Sequence, residues 1–216
     1  ELKQYAAECS KSIMGIASSI LDFAIQLSEL VGIPLDHVGT AAVGFKVEWY
    51  LIREAHKRGE LVPERVERPY RPYPGAIVLE PKPGRHEKIA VLDFKSMYPS
   101  IMIAYNISPD TYVPPEERKE TGNYYIAPEV NHAFRKEPPG FYKEVLSELL
   151  RARNQVREKL ESLDPKSPEY RALDARQKAL KVIANASYGY SGWIGARWYI
   201  KPVAEATTAW GRATIR

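Results

Sequence analysis

Apolar residues recur at intervals of three and four near the start of the chain. Ile13, Ile16, Ala17, Ile20, Phe23, Ala24 and Leu27 fall on one stripe. That spacing predicts a helix from about Tyr5 to Leu30, with the stripe against a core. Gly32-Ile33-Pro34 ends it. A second helix is predicted over Ala41 to Arg58, stopped by Gly59, with Phe45, Trp49 and Ile52 on its buried face. The pattern then changes. Pro63-Glu64-Arg65-Val66-Glu67-Arg68-Pro69-Tyr70-Arg71-Pro72 reads as an extended, exposed linker. Two short apolar runs follow, Ala76-Ile77-Val78-Leu79 and Lys88-Ile89-Ala90-Val91-Leu92, separated by the turn chemistry of Pro81-Lys82-Pro83-Gly84-Arg85-His86. They predict an antiparallel pair of strands, with Asp93 where the second strand leaves the core.

Beyond Asp93 a short helix is predicted over Tyr98 to Tyr105, then a loop from Asn106 to Pro115. Thr121 to Pro139 is irregular, with a small hairpin around Asn123-Tyr124-Tyr125-Ile126. Phe141 to Leu163 is strongly helical, and Asp164-Pro165-Lys166-Ser167-Pro168 breaks it. Ser167 can cap the next helix and Pro168 can take its first position. That helix runs to about Ser187, which makes two long arms of a helical hairpin; a last helix covers Pro202 to Arg216. The predicted class is α+β: an antiparallel sheet with packed helices, plus a two-helix antiparallel hairpin. Its segments are 1–62 (helical), 63–140 (linker and sheet), 141–189 (hairpin) and 190–216 (closing helix).

Composition narrows the picture. The chain has 216 residues, 44% hydrophobic and 27% charged, enough for one large domain or two small ones. Its one cysteine, Cys9, excludes an internal disulfide framework and fits a reducing, cytoplasmic setting. No secretory signal is evident, and no apolar run is long enough to span a membrane. Seventeen prolines argue against a simple helical bundle. The net charge is +4, and it is unevenly placed. From Ala175 to Arg216 seven basic residues (Arg176, Lys178, Lys181, Arg197, Lys201, Arg212, Arg216) face one acid, Glu205. Such a tail is either a solvated basic face or a surface for a polyanion.

In the second arm Gln177, Lys181, Asn185 and Tyr188 share one helix face, beside the mostly apolar face of Leu173, Leu180, Ile183 and Ser187. A cation, an amide and a phenol thus lie next to a core face. Lys181 can hold a phosphate or give a proton to a leaving oxyanion. Tyr188 offers a flat ring to a base, and Gly189 lets backbone approach a ligand. In the first arm Arg153 and Arg157 are four apart, hence on one face, with geometry suited to phosphate oxygens. The competing reading is surface pairing, such as Arg157 with Glu161.

Two motifs carry a resemblance. Asp93-Phe94-Lys95-Ser96-Met97-Tyr98-Pro99-Ser100 and Lys181-Val182-Ile183-Ala184-Asn185-Ala186-Ser187-Tyr188-Gly189 resemble signatures of the family B (alpha-like) DNA polymerases, archaeal members above all. Met97 stands where the family has Leu, and Ala186 where it has Ser. Asn106-Ile107-Ser108-Pro109-Asp110-Thr111, Arg197-Trp198-Tyr199 and Ala209-Trp210-Gly211-Arg212 agree with it, and Tyr73-Pro74-Gly75-Ala76 resembles the family's template-contacting element. The resemblance implies part of a polymerase palm and a fingers hairpin. It implies that Asp93 and the Phe94 carbonyl are ligands of a two-Mg²⁺ site, and that the backbone of Phe94 to Tyr98, including Ser96 and Met97, cradles a triphosphate. Tyr98 becomes a steric gate against a 2′-hydroxyl. Arg153, Arg157, Lys181 and Asn185 contact the incoming dNTP; Tyr188 and Gly189 pack on the nascent base pair; Tyr73 and Gly75 touch template. Template-primer DNA and dNTPs are the implied partners, in a cytoplasmic, nucleoid-associated setting.

The chain also departs from the family. The second catalytic carboxylate, an Asp-Thr-Asp element, is expected just beyond the helix that ends at Arg216, and the thumb beyond that. The expectation is a chain incomplete alone, completed by a further segment or by a second polymerase polypeptide. Cys9, in Tyr5-Ala6-Ala7-Glu8-Cys9, stands where a proofreading Asp is expected, so no proofreading is expected from this chain. The alternative is a non-catalytic, polymerase-like subunit that binds DNA or nucleotide.

Overall fold

The computed structural model describes residues 1–69 and 71–216; Tyr70, in the predicted linker, lies outside the described residues. The described chain forms seven α-helices and one small sheet, a mixed and mainly helical architecture. The helices are α1 (Leu2–Val31), α2 (Leu35–Thr40), α3 (Val43–Arg58), α4 (Met97–Ala104), α5 (Phe141–Leu160), α6 (Pro168–Ser191) and α7 (Lys201–Ile215). The strands are β1 (Tyr112–Val113), β2 (Tyr124–Ile126) and β3 (Ala133–Arg135). Two compact units divide them: Glu1–Leu61 with Glu148–Ile183, and Val62–Ser147 with Ala184–Arg216.

In the first unit α1 and α3 end as their glycines dictate. Gly32 and Gly59 take the left-handed conformation, φ 81° and 68°, and close the last turns with backbone hydrogen bonds. Arg53 Nη1 donates to the Glu29 carbonyl at 2.7 Å, placing a cation at the negative end of α1. The buried Glu54 accepts from Lys57 at 2.6 Å and Arg58 at 2.5 Å, and Arg58 also reaches Glu148 at 2.7 Å. Burial alone would raise the Glu54 pKa, but these two cations hold it below the usual carboxylate range.

Three expectations about this unit are corrected. The α1 stripe is not a core face along its length: Leu27 and Val31 are buried, whereas Ile13, Ile16 and Ile20 are exposed. On α3 the buried apolar positions are Val47, Tyr50, Leu51 and Ala55, while Phe45 and Trp49 are exposed. Periodicity identifies a face only when one stripe is apolar, and α3 is apolar on two. Finally, α1 is long and apolar enough, by length and composition, to cross a membrane. Its charges are few, although Ser10, Lys11, Ser12, Ser18, Ser19 and Asp22 interrupt every apolar run.

In the second unit the sheet has order β1-β3-β2, antiparallel throughout, with Phe134 opposite both Tyr112 and Tyr125. The hairpin expected near Tyr124 is present. The strand pair expected over 76–79 and 88–92 is not: those residues form no ladder, and Val78, Val91 and Leu92 are exposed. A strand needs a neighbour to pair its backbone, and these runs find none among the described residues. Asp93 therefore follows chain without regular secondary structure, not a sheet strand.

The Asn106-to-Thr111 segment explains how α5 is held. Asn106, buried at φ 50°, donates to the Arg135 and Pro138 carbonyls at 2.8 and 2.9 Å and accepts from Gly140 N–H at 2.8 Å. Ser108 Oγ accepts from Tyr142 N–H, and the Asp110 carboxylate from Phe141 N–H, at 3.2 and 3.1 Å. Side chains more than thirty residues away thus satisfy the first N–H groups of α5. Ser167 caps α6 as predicted, accepting from Tyr170 N–H at 3.0 Å.

The Tyr142 hydroxyl is buried without a hydrogen-bond partner among the described residues. Burial pushes its pKa well above the usual value. An unsatisfied hydroxyl costs about 1–3 kcal/mol, so Tyr142→Phe is expected to raise stability by about 1 kcal/mol. Chemical denaturation of the two proteins checks this; a loss of stability would reveal a partner for the hydroxyl.

Candidate active site

Asp93 is exposed, directly ahead of α4. Ser96, the residue before α4, has φ 50°. A non-glycine residue there is strained, and such strain is found at sites that over-determine their backbone. Met97 and Tyr98 follow in the first turn and are half-buried. The Tyr98 ring stacks on the Tyr188 ring, with centroids 4.3 Å apart and planes 30° apart. The Tyr188 hydroxyl lies 3.3 Å from that of Tyr73. Burial raises the Tyr188 pKa, and the Tyr73 hydrogen bond adds to it. Helix α7 closes in on the same ring: a Cβ on Gly211 would lie 3.0 Å from Met97 Cε and 3.3 Å from Tyr98 Cε1. Tyr73, Tyr98 and Tyr188, far apart in sequence, are thus brought together within the second unit.

Helix α6 carries Lys181, Asn185 and Tyr188 in the predicted register, while Leu180, Ile183 and Ser187 are buried as predicted. Gly189 and Gly75 have nothing within 4 Å of where a Cβ would sit. No packing inside the chain requires glycine at either position.

In the first unit Arg153 Nε donates to Gln177 Oε1 at 3.3 Å, tying α5 to α6. Desolvation lowers the Arg153 pKa, and the neighbouring Arg157 charge lowers it further. Two guanidinium groups that repel favour an anion beside them. The alternative Arg157–Glu161 pair does not form among the described residues.

The basic tail is less free than its composition implies. Arg176 pairs with Glu29, Lys178 with Asp174, Lys201 with Glu205, and Arg216 with Glu129. Arg197 donates to the Pro63 carbonyl at 3.1 Å. Arg212 is buried against Glu129. Among the described residues, Lys181 is the member of the seven with neither a hydrogen bond nor an ion pair, and it is exposed. Charge counting missed Arg212, whose partners come from distant loops.

Asp93 and the Phe94 carbonyl are hard oxygen donors of the kind Mg²⁺ takes. Among the described residues no group of three or more His, Cys, Asp or Glu is assembled.

The family model for DNA polymerase family B matches residues 33–216. The chain belongs to the family B DNA polymerases. DNA polymerase 2 of Aeropyrum pernix is 57% identical over 215 residues, which is 100% of this chain and 27% of that protein. The DNA polymerase of Archaeoglobus fulgidus is 48% identical over 212 residues, covering 98% of this chain and 26% of that one. Among solved structures, the family B DNA polymerase of Pyrobaculum calidifontis superposes with a TM-score of 0.88 at 54% identity, covering 99% of this chain and 28% of that one. The family B chain therefore spans about a quarter of the length of these relatives. The alignment with the Aeropyrum pernix protein covers the whole of this chain, α1 included.

Proposed function

We propose that this chain is the part of a DNA-directed DNA polymerase that binds the incoming dNTP and begins the two-metal site. The observation that carries the reading is the Tyr98–Tyr188 stack, 4.3 Å between centroids, five residues beyond Asp93. It sets a flat, partly buried wall close in sequence to an exposed carboxylate. In this reading 141–189 is the fingers hairpin, and 63–140 with 190–216 is part of the palm.

Each residue then has a defined task. Asp93 and the Phe94 carbonyl would hold Mg²⁺, which when bound activates a primer hydroxyl and neutralises the leaving pyrophosphate. A second carboxylate would be needed to complete this set, from another segment of the polypeptide or from a second one. The backbone from Phe94 through Ser96 and Met97 would cradle phosphates, consistent with the left-handed Ser96. Arg153, Arg157, Lys181 and Asn185 would contact the nucleotide; Lys181 is exposed and, among the described residues, has no hydrogen bond or ion pair of its own. Lys181 would also donate a proton to the leaving oxyanion. Tyr188 and Gly189 would pack on the new base pair, and Tyr73 and Gly75 would meet the template. The protein would work in the cytoplasm on nucleoid DNA.

The test uses a complete enzyme in which residues 1–216 replace the matching segment of the Pyrobaculum calidifontis polymerase. Primer extension by this chimera, requiring Mg²⁺, supports the reading; a folded chimera without activity rejects it in favour of a non-catalytic, DNA-binding role. Lys181→Ala in the chimera is expected to raise the dNTP KM and lower kcat, together costing about 100-fold in kcat/KM, the scale of lost acid catalysis. A change of less than about twofold, well below that scale, would make Lys181 a surface lysine.

A further inference from the structure

Arg212 is 7% exposed, and each of its three nitrogens donates inside the protein. Nη1 donates to the carbonyls of Pro74 at 3.0 Å and Gly75 at 2.7 Å. Nε donates to Glu129 Oε2 at 2.8 Å, and Nη2 donates to the same oxygen. Thr208, one turn earlier on α7, also donates to the Pro74 carbonyl, at 3.0 Å. The hydrogen bond from Arg212 holds the Glu129 carboxyl below its ordinary range. Glu129 adopts φ 64° at this position, a strained conformation for its type.

A buried guanidinium is costly unless its donors are matched. Here it is matched to a segment that has no secondary structure of its own. That segment begins with Tyr73, whose hydroxyl meets Tyr188, whose ring stacks on Tyr98. The adjacent Gly211 brings α7 into contact with Tyr98 directly. All of these residues lie in the second compact unit.

We infer that Arg212 is a positioning residue for Tyr98. It pins the Pro74-Gly75 backbone to α7, and through Tyr73 and Tyr188 it fixes where the Tyr98 ring stands against the sugar of an incoming nucleotide. The inference rests on Tyr98 being the sugar gate. In this role Arg212 acts through the backbone it grips.

The test compares kcat/KM for a dNTP and the matching rNTP in the complete chimeric polymerase. A misplacement of about 1 Å costs up to about 100-fold. Arg212→Ala is therefore expected to lower the dNTP-to-rNTP preference by about tenfold or more, and Arg212→Lys to restore part of it. Added to Tyr98→Ala, Arg212→Ala should lower the preference no further, because one acts through the other. An unchanged preference in Arg212→Ala, or losses that multiply in the double variant, overturns the inference. If Arg212→Ala fails to fold, Tyr73→Phe reads the same link by removing only the phenol-to-phenol contact; an unchanged preference there overturns it too. Tyr98→Ala alone separates the two ideas. If it leaves the preference intact, the gate itself is wrong. If it lowers the preference while Arg212→Ala does not, only the positioning role falls.

Discussion

Asp93→Ala in the chimeric polymerase is expected to abolish primer extension, by about 1,000-fold or more in kcat. A metal ion supplies several kcal/mol of transition-state charge stabilisation. Losing about 4 kcal/mol of it slows the step by about a thousandfold. Asp93→Asn should be as damaging, because it keeps the shape and removes the charge. Folding should be untouched. Asp93 is exposed, and such a surface change usually shifts stability by no more than about 0.5 kcal/mol. Activity and unfolding midpoint therefore move independently, which separates a chemical role from a structural one. Extension within tenfold of the parent in Asp93→Ala would remove Asp93 from the metal site.

The second large effect is on sugar choice. Tyr98→Ala is expected to lower the dNTP-to-rNTP preference by about 100-fold or more. Attraction alone discriminates weakly against a substrate that merely adds a hydroxyl, by about 100-fold at most. Strong rejection needs a group that would collide with it. The Tyr98 ring, backed by Tyr188 at 4.3 Å and by Gly211 on α7, is unable to yield easily. Tyr98→Phe should keep the preference, since the ring and not its hydroxyl is the obstacle. Steady-state incorporation of matched dNTP and rNTP reads both variants. An unchanged preference in Tyr98→Ala, or a lost one in Tyr98→Phe, would reject a steric gate.

Much of the helical layout was legible because helix signals are local. Ser167 and Pro168 announce α6, and Gly59 ends α3, through contacts within one turn. The α6 register followed from spacing alone, so Lys181, Asn185 and Tyr188 were placed on one face with Ile183 beside them. The strands were less legible. The run Lys88 to Leu92 has strand composition, yet a strand exists only when a neighbour supplies hydrogen bonds, and composition does not name the neighbour. The same limit applies to burial: α3 shows two apolar faces, and only packing chose Leu51 over Trp49.

Charge shows the division most clearly. The amino-acid order alone established a basic tail, a lysine on an amphipathic face, and two motifs that place the chain among family B polymerases. It did not distinguish one cation from another. Tertiary structure did, by bringing Glu129 and the Pro74 and Gly75 carbonyls to Arg212 from distant loops while leaving Lys181 without a partner among the described residues. It likewise stacked Tyr98 on Tyr188, ninety residues away. Local order fixes which groups are available and on which face they stand. Which of them is consumed within the fold and which is left for a ligand depends on long-range neighbours, because a hydrogen bond or ring contact requires both partners in one place.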